Sequence, residues 1–292
     1  GAYKVTEGLL DKYGARRVVD TPISELGFAA VGVGSAMAGL RPVVEFMTWN
    51  FALLAIDQVV NHAAKTLSMS GGHFGCPITF RGPNGSAGQL GQQHSQAFES
   101  IYAHVPGLIV VSPSNPADGK GLLKSAIRDD NPVVFLESEQ MYGLKGEVPD
   151  EEDLTIPLGK ARIDVAGDAC TVVSFNKMMH TAREAVDALA KEGMQCELID
   201  LRTVRPIDYD TIIQSVKKTN RLVVVEEAWP LASISSELAY SVQRLAFDYL
   251  DAPILRVTCA DTPLPYAQPL VDAWLPNAQR VTEAIRQVTY TA

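Results

Sequence analysis

Short apolar runs recur along the chain, and between them the apolar positions fall three and four residues apart. PVVEFM, PITFRG, LIVVS and PVVFLE, then CTVVSF, CELIDL, RLVVVEE and PILRVT, are valine- and isoleucine-rich and of strand length. The stretches PADGKGLLKSAIR, HTAREAVDALAKEG, DYDTIIQSVKKT, SISSELAYSVQRLAF and NAQRVTEAIRQVT each place their apolar residues on one helical face. Strands alternating with helices at this spacing predict an α/β fold, with parallel sheets covered by helices on both faces.

The first half carries further elements. Thr6 is positioned to cap a short helix over GLLDKY, stopped by Gly14, and RVVD reads as a short strand. Ser24 is an N-cap for a helix that begins at Glu25, and FALLAIDQVVNHAAKTL predicts one long helix. After PITFRG comes GPNGSAGQLGQQ, a glycine- and amide-rich loop longer than a turn, and then a helix from about Ser95 to Ala103. The rhythm breaks at GLKGEVPDEEDLTIP, which is acidic, holds two prolines and lacks periodicity. The expected organisation is two doubly wound domains, residues 1–145 and 166–292, joined by a connection over residues 146–165.

Composition narrows the partners. A formal charge of −9 over 292 residues argues against nucleic acid and anionic membrane as main partners, and suits docking of a basic module. No apolar run reaches membrane-spanning length and no signal peptide is evident. Cys76, Cys170, Cys196 and Cys259 are widely spaced and lie in or beside apolar runs, which predicts buried, reduced thiols.

Familiar motifs fail on inspection. Gly32 and Gly34 begin a dinucleotide fingerprint, but Met37 stands at its third glycine and the whole pattern lies inside a helix. Gly119-Lys120-Gly121 lacks the spacing and the Ser/Thr of a phosphate loop, no histidine pair has zinc spacing, and GxSxG is absent. The sequence therefore holds no phosphate cradle of a known kind.

Two residues stand out. Glu25 heads a helix that is otherwise uncharged and rich in small residues, with Pro22, Ile23, Leu26 and Phe28 around it. An acidic residue in a first turn has an ordinary explanation in the helix dipole. Buried among apolar neighbours, it instead suits a group that holds and gives a proton near neutral pH. The glycines and alanines that follow it permit close packing within the chain, or close approach of a partner or cofactor. His94, in GQQHSQAF, ends the polar loop and is either a solvated cap or a chemical group. His62, His73, His104 and His180 read as structural or solvent-facing.

DTPISELGFAAVGVGSAMAGLRPVVEFMTWNFALLAIDQVVNHAAK, FRGPNG…QHSQ and PGLIVVSPSNPADGKGLLKSAIRDDNPVVFLE resemble the beta subunits of the thiamin-dependent 2-oxo acid dehydrogenase family, nearest its pyruvate branch. The resemblance extends through LIDLRTVRPID, VVVEE and LDAPILRVT. It implies a thiamin diphosphate-binding pyrimidine domain followed by a transketolase C-terminal-like domain; family members carry a further helix and strand ahead of GAYKV. The implied activity is oxidative decarboxylation of pyruvate and reductive acetylation of lipoyl groups. Glu25 matches the glutamate that bonds the aminopyrimidine and promotes ionisation of the thiazolium carbon. Phe51 matches the residue stacked on the pyrimidine, Met47 lines the same pocket, and His94 matches a histidine that assists acyl transfer to lipoyl. Main-chain carbonyls at Ile78, Ala126, Ile127, Asp129 and Asn131 match a structural potassium site. Diphosphate and magnesium are expected on an alpha subunit through a GDG…N motif that this chain lacks, in an α2β2 heterotetramer. Asp251 matches a position that contacts the subunit-binding domain of the dihydrolipoyl acetyltransferase core. The implied compartment is the cytoplasm of a bacterium or the mitochondrial matrix of a eukaryote.

Two alternatives compete. One is a branched-chain 2-oxo acid or acetoin dehydrogenase beta subunit; the other is a non-catalytic assembly subunit of the same fold. The run MTWNFALLAIDQ favours the pyruvate branch. Reconstituted with an alpha partner, the complex is expected to decarboxylate pyruvate faster than 2-oxoisovalerate, and the reverse order in a steady-state assay would overturn that assignment.

Overall fold

The apolar runs become strands buried along most of their length, arranged in two five-stranded sheets. The computed structural model describes residues 1–291. Its first half contains α1 (Leu9–Tyr13), α2 (Glu25–Met37), β1 (Val43–Glu45), α3 (Trp49–Ala52), α4 (Thr66–Met69), β2 (Thr79–Pro83), α5 (Glu99–Ala103), β3 (Ile109–Val111), α6 (Pro116–Arg128) and β4 (Val133–Glu137). The second half contains β5 (Arg162–Val165), β6 (Thr171–Ser174), α7 (Met178–Lys191), β7 (Glu197–Asp200), β8 (Thr203–Arg205), α8 (Tyr209–Thr219), β9 (Leu222–Val225), α9 (Ile234–Ala246), β10 (Leu255–Val257), α10 (Gln268–Trp274) and α11 (Ala278–Thr289).

In the first sheet β1, β2, β4 and β3 run parallel in that order; in the second, β10, β9, β6 and β7 do the same. Continuous apolar strands such as VVFL and LVVV suit this arrangement, because helices cover both faces. Side-chain caps fix several helix starts: Asn115 on α6, Asp208 on α8 and Asn277 on α11 each accept a hydrogen bond from a backbone N–H of the first turn.

The structure departs from the sequence reading at several points. Arg17–Asp20, expected as a strand, form turn and irregular backbone, since no neighbouring strand among the described residues pairs with them. Gly8, not Thr6, occupies the N-cap of α1, while Gly14 closes it as expected. The long helix after Thr48 is broken: a 3-10 turn at Leu53–Ala55 and a π turn at Gln58–Ala63 separate α3 from α4. The widened turn brings the Ala64 carbonyl against Gly107, where a Cβ would lie 2.0 Å from it. Each sheet also gains an antiparallel edge strand. β5 lies in the stretch expected as connection and pairs with β7; β8 leaves the second half of the chain and pairs with β3 in the first sheet. A single buried cluster consequently runs from Phe46 and Phe80 through Val173 and Ile199 to Leu238. α10, too short and irregular in pattern to be read from sequence, closes a small core with Cys259, Leu264 and Trp274.

Close approach of backbones shapes the edge where the strands end. Phe46 N donates to the Arg81 carbonyl, and a Cβ on Gly82 would lie 2.4 Å from the Phe46 carbonyl oxygen. Gly82 thus lets the exit of β1 lie against β2. Gly82→Ala is expected to destabilise the chain by about 1–3 kcal/mol through backbone displacement, read as a lower urea midpoint at unchanged slope.

Candidate functional site

Chain direction brings three segments to one edge of the first sheet. α2 precedes β1 and runs back along it, so its head lies near the exit of β1, and Phe28 packs on Phe46 with ring centroids 5.5 Å apart. Residues 46–48 leave β1 and residues 84–96 leave β2 at that same carboxyl end, where open parallel sheets place their ligand sites.

Glu25 is half-buried and makes no hydrogen bond or ion pair among the described residues. The apolar enclosure expected from its neighbours is not made within this chain, because Ile23 is 95% exposed and Leu26 51%. The small residues of α2 divide between two faces. On one, Gly32 lets the helix settle on the sheet: a Cβ there would meet Val44 Cγ2 at 2.5 Å and Ile78 Cδ1 at 3.1 Å. On the other, Val31 and Gly34 face outward, and a Cβ on Gly34 would meet nothing within 4 Å. Packing within the chain explains only the first face.

Phe51 and His94, 43 positions apart, come together, their rings edge-to-face with centroids 5.0 Å apart. Thr48 caps α3 by accepting from Asn50 N at 3.0 Å, and Asn50 Nδ2 donates to the same hydroxyl at 2.8 Å. Asn50 Oδ1 then accepts from Gln96 N at 3.2 Å and Gln96 Nε2 at 3.1 Å, which ties the histidine loop to the start of α3. The roots of the loop are joined as well: Gly85 N donates to the Gln96 carbonyl at 2.9 Å, and Phe98 N to Asn84 Oδ1 at 2.8 Å. Met47, 49% exposed, follows Phe46 at the exit of β1. The result is a carboxylate free of partners, an aromatic face, a thioether and an imidazole on one open edge.

Comparison with known proteins supports the fold and family expected from the sequence. Residues 1–145 match the transketolase pyrimidine binding domain and residues 159–281 the transketolase C-terminal domain. The pyruvate dehydrogenase E1 component subunit beta of Rhizobium meliloti (strain 1021) is 57% identical, over 99% of this chain and 63% of its own length. The mitochondrial counterpart from Dictyostelium discoideum is 52% identical over 99% of this chain and 82% of that one, and the human one 54% over 98% and 81%. The chain belongs to the family of pyruvate dehydrogenase E1 beta subunits. A split gene transketolase, described as an inactive beta4 tetramer, shares the fold with a TM-score of 0.80 at 18% identity, covering 99% of this chain and 89% of that one.

Other residues singled out through the family lie elsewhere. Ile78 precedes β2 and residues 129–132 precede β4, at the sheet end opposite the candidate site, with Val133 N donating to the Ile78 carbonyl at 2.8 Å. The Asp129 carbonyl accepts from Arg41 Nη1 at 2.7 Å, and Arg41 also pairs with the Asp130 carboxylate. Carbonyl oxygens at a helix C-terminus, with lone pairs to spare, fit a hard cation in kind. Asp251 is on the surface of the second domain, 3.7 Å from the Arg221 guanidinium. All four cysteines are free and buried, and burial raises their thiols, Cys76 and Cys196 to about 11.

Sequence reading missed the supports beneath the loop. Asn84 and Gln96 are amides in polar stretches, while Asn50 sits between Trp49 and Phe51, where only the cap position of Thr48 hints at it. Glu99, in the first turn of α5, is buried at 4% exposure with one oxygen accepting from Ser112 Oγ at 3.1 Å and the other unpartnered. Burial raises its carboxyl from 4.5 to about 7, partly offset by its hydrogen bonds. The folded chain therefore holds a proton that the unfolded chain releases, and stability falls as pH rises across that window. Glu99→Gln is expected to remove this loss, up to about 3 kcal/mol by the top of the window, in denaturation followed against pH. Asp200, raised by burial to about 6, and Glu226, also raised by burial, keep their own losses with rising pH in the variant.

Proposed function

We propose that this chain supplies the pyrimidine side of a thiamin diphosphate site in a pyruvate dehydrogenase, and that it acts only with an alpha subunit. The observation that carries the proposal is the unpartnered Glu25 carboxylate on the same open edge as the Phe51–His94 ring pair. In this reading Glu25 shares a proton with a ring nitrogen of the aminopyrimidine, Phe51 offers its ring to the pyrimidine face, and Met47 fills the pocket wall. His94 stands in the channel and serves acyl transfer to lipoyl. When bound, thiamin diphosphate supplies the electron sink for decarboxylation of a 2-oxo acid.

The alpha subunit is assigned the diphosphate and magnesium, because this sequence has no GDG…N motif. Support for a partner comes from the surface: Ile23, Leu26, Val31, Met47 and Leu54 are exposed apolar residues around the site and along its helix. An α2β2 assembly covers such a face. The carbonyls of Ile78, Ala126, Ile127, Asp129 and Asn131 are proposed as a potassium site, and Asp251 as a contact for the subunit-binding domain of the acetyltransferase core. The family includes bacterial and mitochondrial members, and the proposed compartment is the cytoplasm or mitochondrial matrix accordingly. No helix among the described residues is long and apolar enough to cross a membrane.

The test is Glu25→Gln in the reconstituted tetramer. A carboxamide keeps the shape and loses the charge, so turnover is expected to fall by roughly a hundredfold or more with assembly intact on size-exclusion chromatography. Near-normal turnover would reduce Glu25 to a helix-start charge. For His94→Ala, reductive acetylation of a lipoyl domain is expected to suffer more than decarboxylation read with an artificial electron acceptor.

A further inference from the structure

The middle of the histidine loop is held by the second domain. Ser86 lies in an irregular segment yet has no exposed surface. Its N–H donates to Glu227 Oε1 at 2.5 Å, while its carbonyl and hydroxyl oxygens accept from Lys177 Nζ at 2.9 and 2.5 Å. Lys177 Nζ and Glu227 Oε2 are 2.6 Å apart, with side chains 9% and 8% exposed. Lys177 leads into α7 and Glu227 follows β9, so both come from the second sheet's layer. Gly85 has a φ of +82° and no side chain, which lets Glu227 come close: a Cβ there would lie 2.9 Å from Oε2. Nearer the histidine, Gln89 Nε2 donates to the Tyr266 carbonyl at 3.0 Å, and a Cβ on Gly91 would lie 2.4 Å from the Tyr266 ring.

Stability does not account for this pair. Removing two charges from water costs about as much as their attraction returns, and apolar replacements of such pairs are often neutral or better. Cohesion between the two sheets is already supplied by the apolar cluster that runs through both. What the pair does that apolar contacts cannot is satisfy all three polar groups of one loop residue in one geometry.

We propose that Lys177 and Glu227 are positioning residues that fix Ser86 and, through it, the loop that carries His94 to Phe51. The role rests on the function proposed above, since the loop matters for catalysis only if His94 acts there. It assigns the second domain a part in the site besides subunit pairing.

The experiment compares Lys177→Met and Glu227→Gln, each reconstituted with the alpha subunit, by two readouts. The first is amide hydrogen exchange of the assembled protein. Exchange is expected to accelerate at least roughly tenfold in residues 85–96, with β6, β9 and α7 unchanged. The second is the pair of half-reactions. Acetylation of a lipoyl domain is expected to fall roughly tenfold or more, with decarboxylation within about threefold of the parent. Lys177→Met on a His94→Ala background is then expected to add little further loss. Glu227→Gln keeps an acceptor for the Ser86 N–H and is the milder variant should Lys177→Met fail to assemble. Unchanged exchange in residues 85–96 would overturn the positioning role whatever the activity. Faster exchange there with both half-reactions reduced equally would leave the loop held as described and would overturn the link to His94.

Discussion

Phe46 has no exposed surface, and rings from three elements close around it: Phe28 of α2 at 5.5 Å, Trp49 of α3 at 5.3 Å and Phe80 of β2 at 6.0 Å. Tyr102 of α5 continues the cluster at 4.8 Å from Trp49. Each such side chain buries roughly 150–250 Å², and truncation of one typically costs several kcal/mol. The cluster therefore sets where α2 begins, where β1 ends and how α5 lies. Glu25 is one helical turn before Phe28, Met47 is next to Phe46, Phe51 follows Trp49, and the loop bearing His94 enters α5 just before Tyr102. The residues of the candidate site hang from this apolar knot.

Around that knot the site is only half closed. The Gly32 face of α2 is seated on Val44 and Ile78, while the face with Val31 and Gly34 is open. The exposed isoleucine and leucine that flank the Glu25 carboxylate are poorly suited to a finished monomer surface. The same arrangement suits a chain that brings one side of a cofactor site to a second subunit. The carboxylate and the apolar rim around it both support the proposed role at a second subunit.

The second domain is joined to the first by more than the connecting segment. β8 adds a strand to the first sheet, and the Lys177–Glu227 pair reaches the loop between β2 and α5. These links place loop geometry under the control of residues far along the chain, and they enclose Ser86 and Glu99 where burial governs their chemistry. The raised proton affinity of Glu99 follows from that enclosure.

Much of the fold was legible because its cause is local. Valine-rich runs four to six residues long and helical faces with a glycine stop identify alternating strands and helices, whichever residues lie opposite them. The amphipathic helices of the second half therefore lie where the pattern put them, and Glu25 stands out as a lone acid in an apolar setting and His94 as the histidine that ends a polar loop. Segments whose conformation depends on a neighbour were misread or missed: RVVD has strand propensity but no pairing strand among the described residues, and TVR forms a strand where β3 offers an edge. By itself the sequence determined the α/β alternation, the head of α2 and, through its similarity to known relatives, the chemistry to expect. Tertiary structure alone decided that Phe51 meets His94, that Gly32 serves packing, and that Lys177 and Glu227 converge on Ser86. Contacts made across 91 and 141 positions leave no period in a sequence; they exist only once two sheets have packed and left polar groups that need partners.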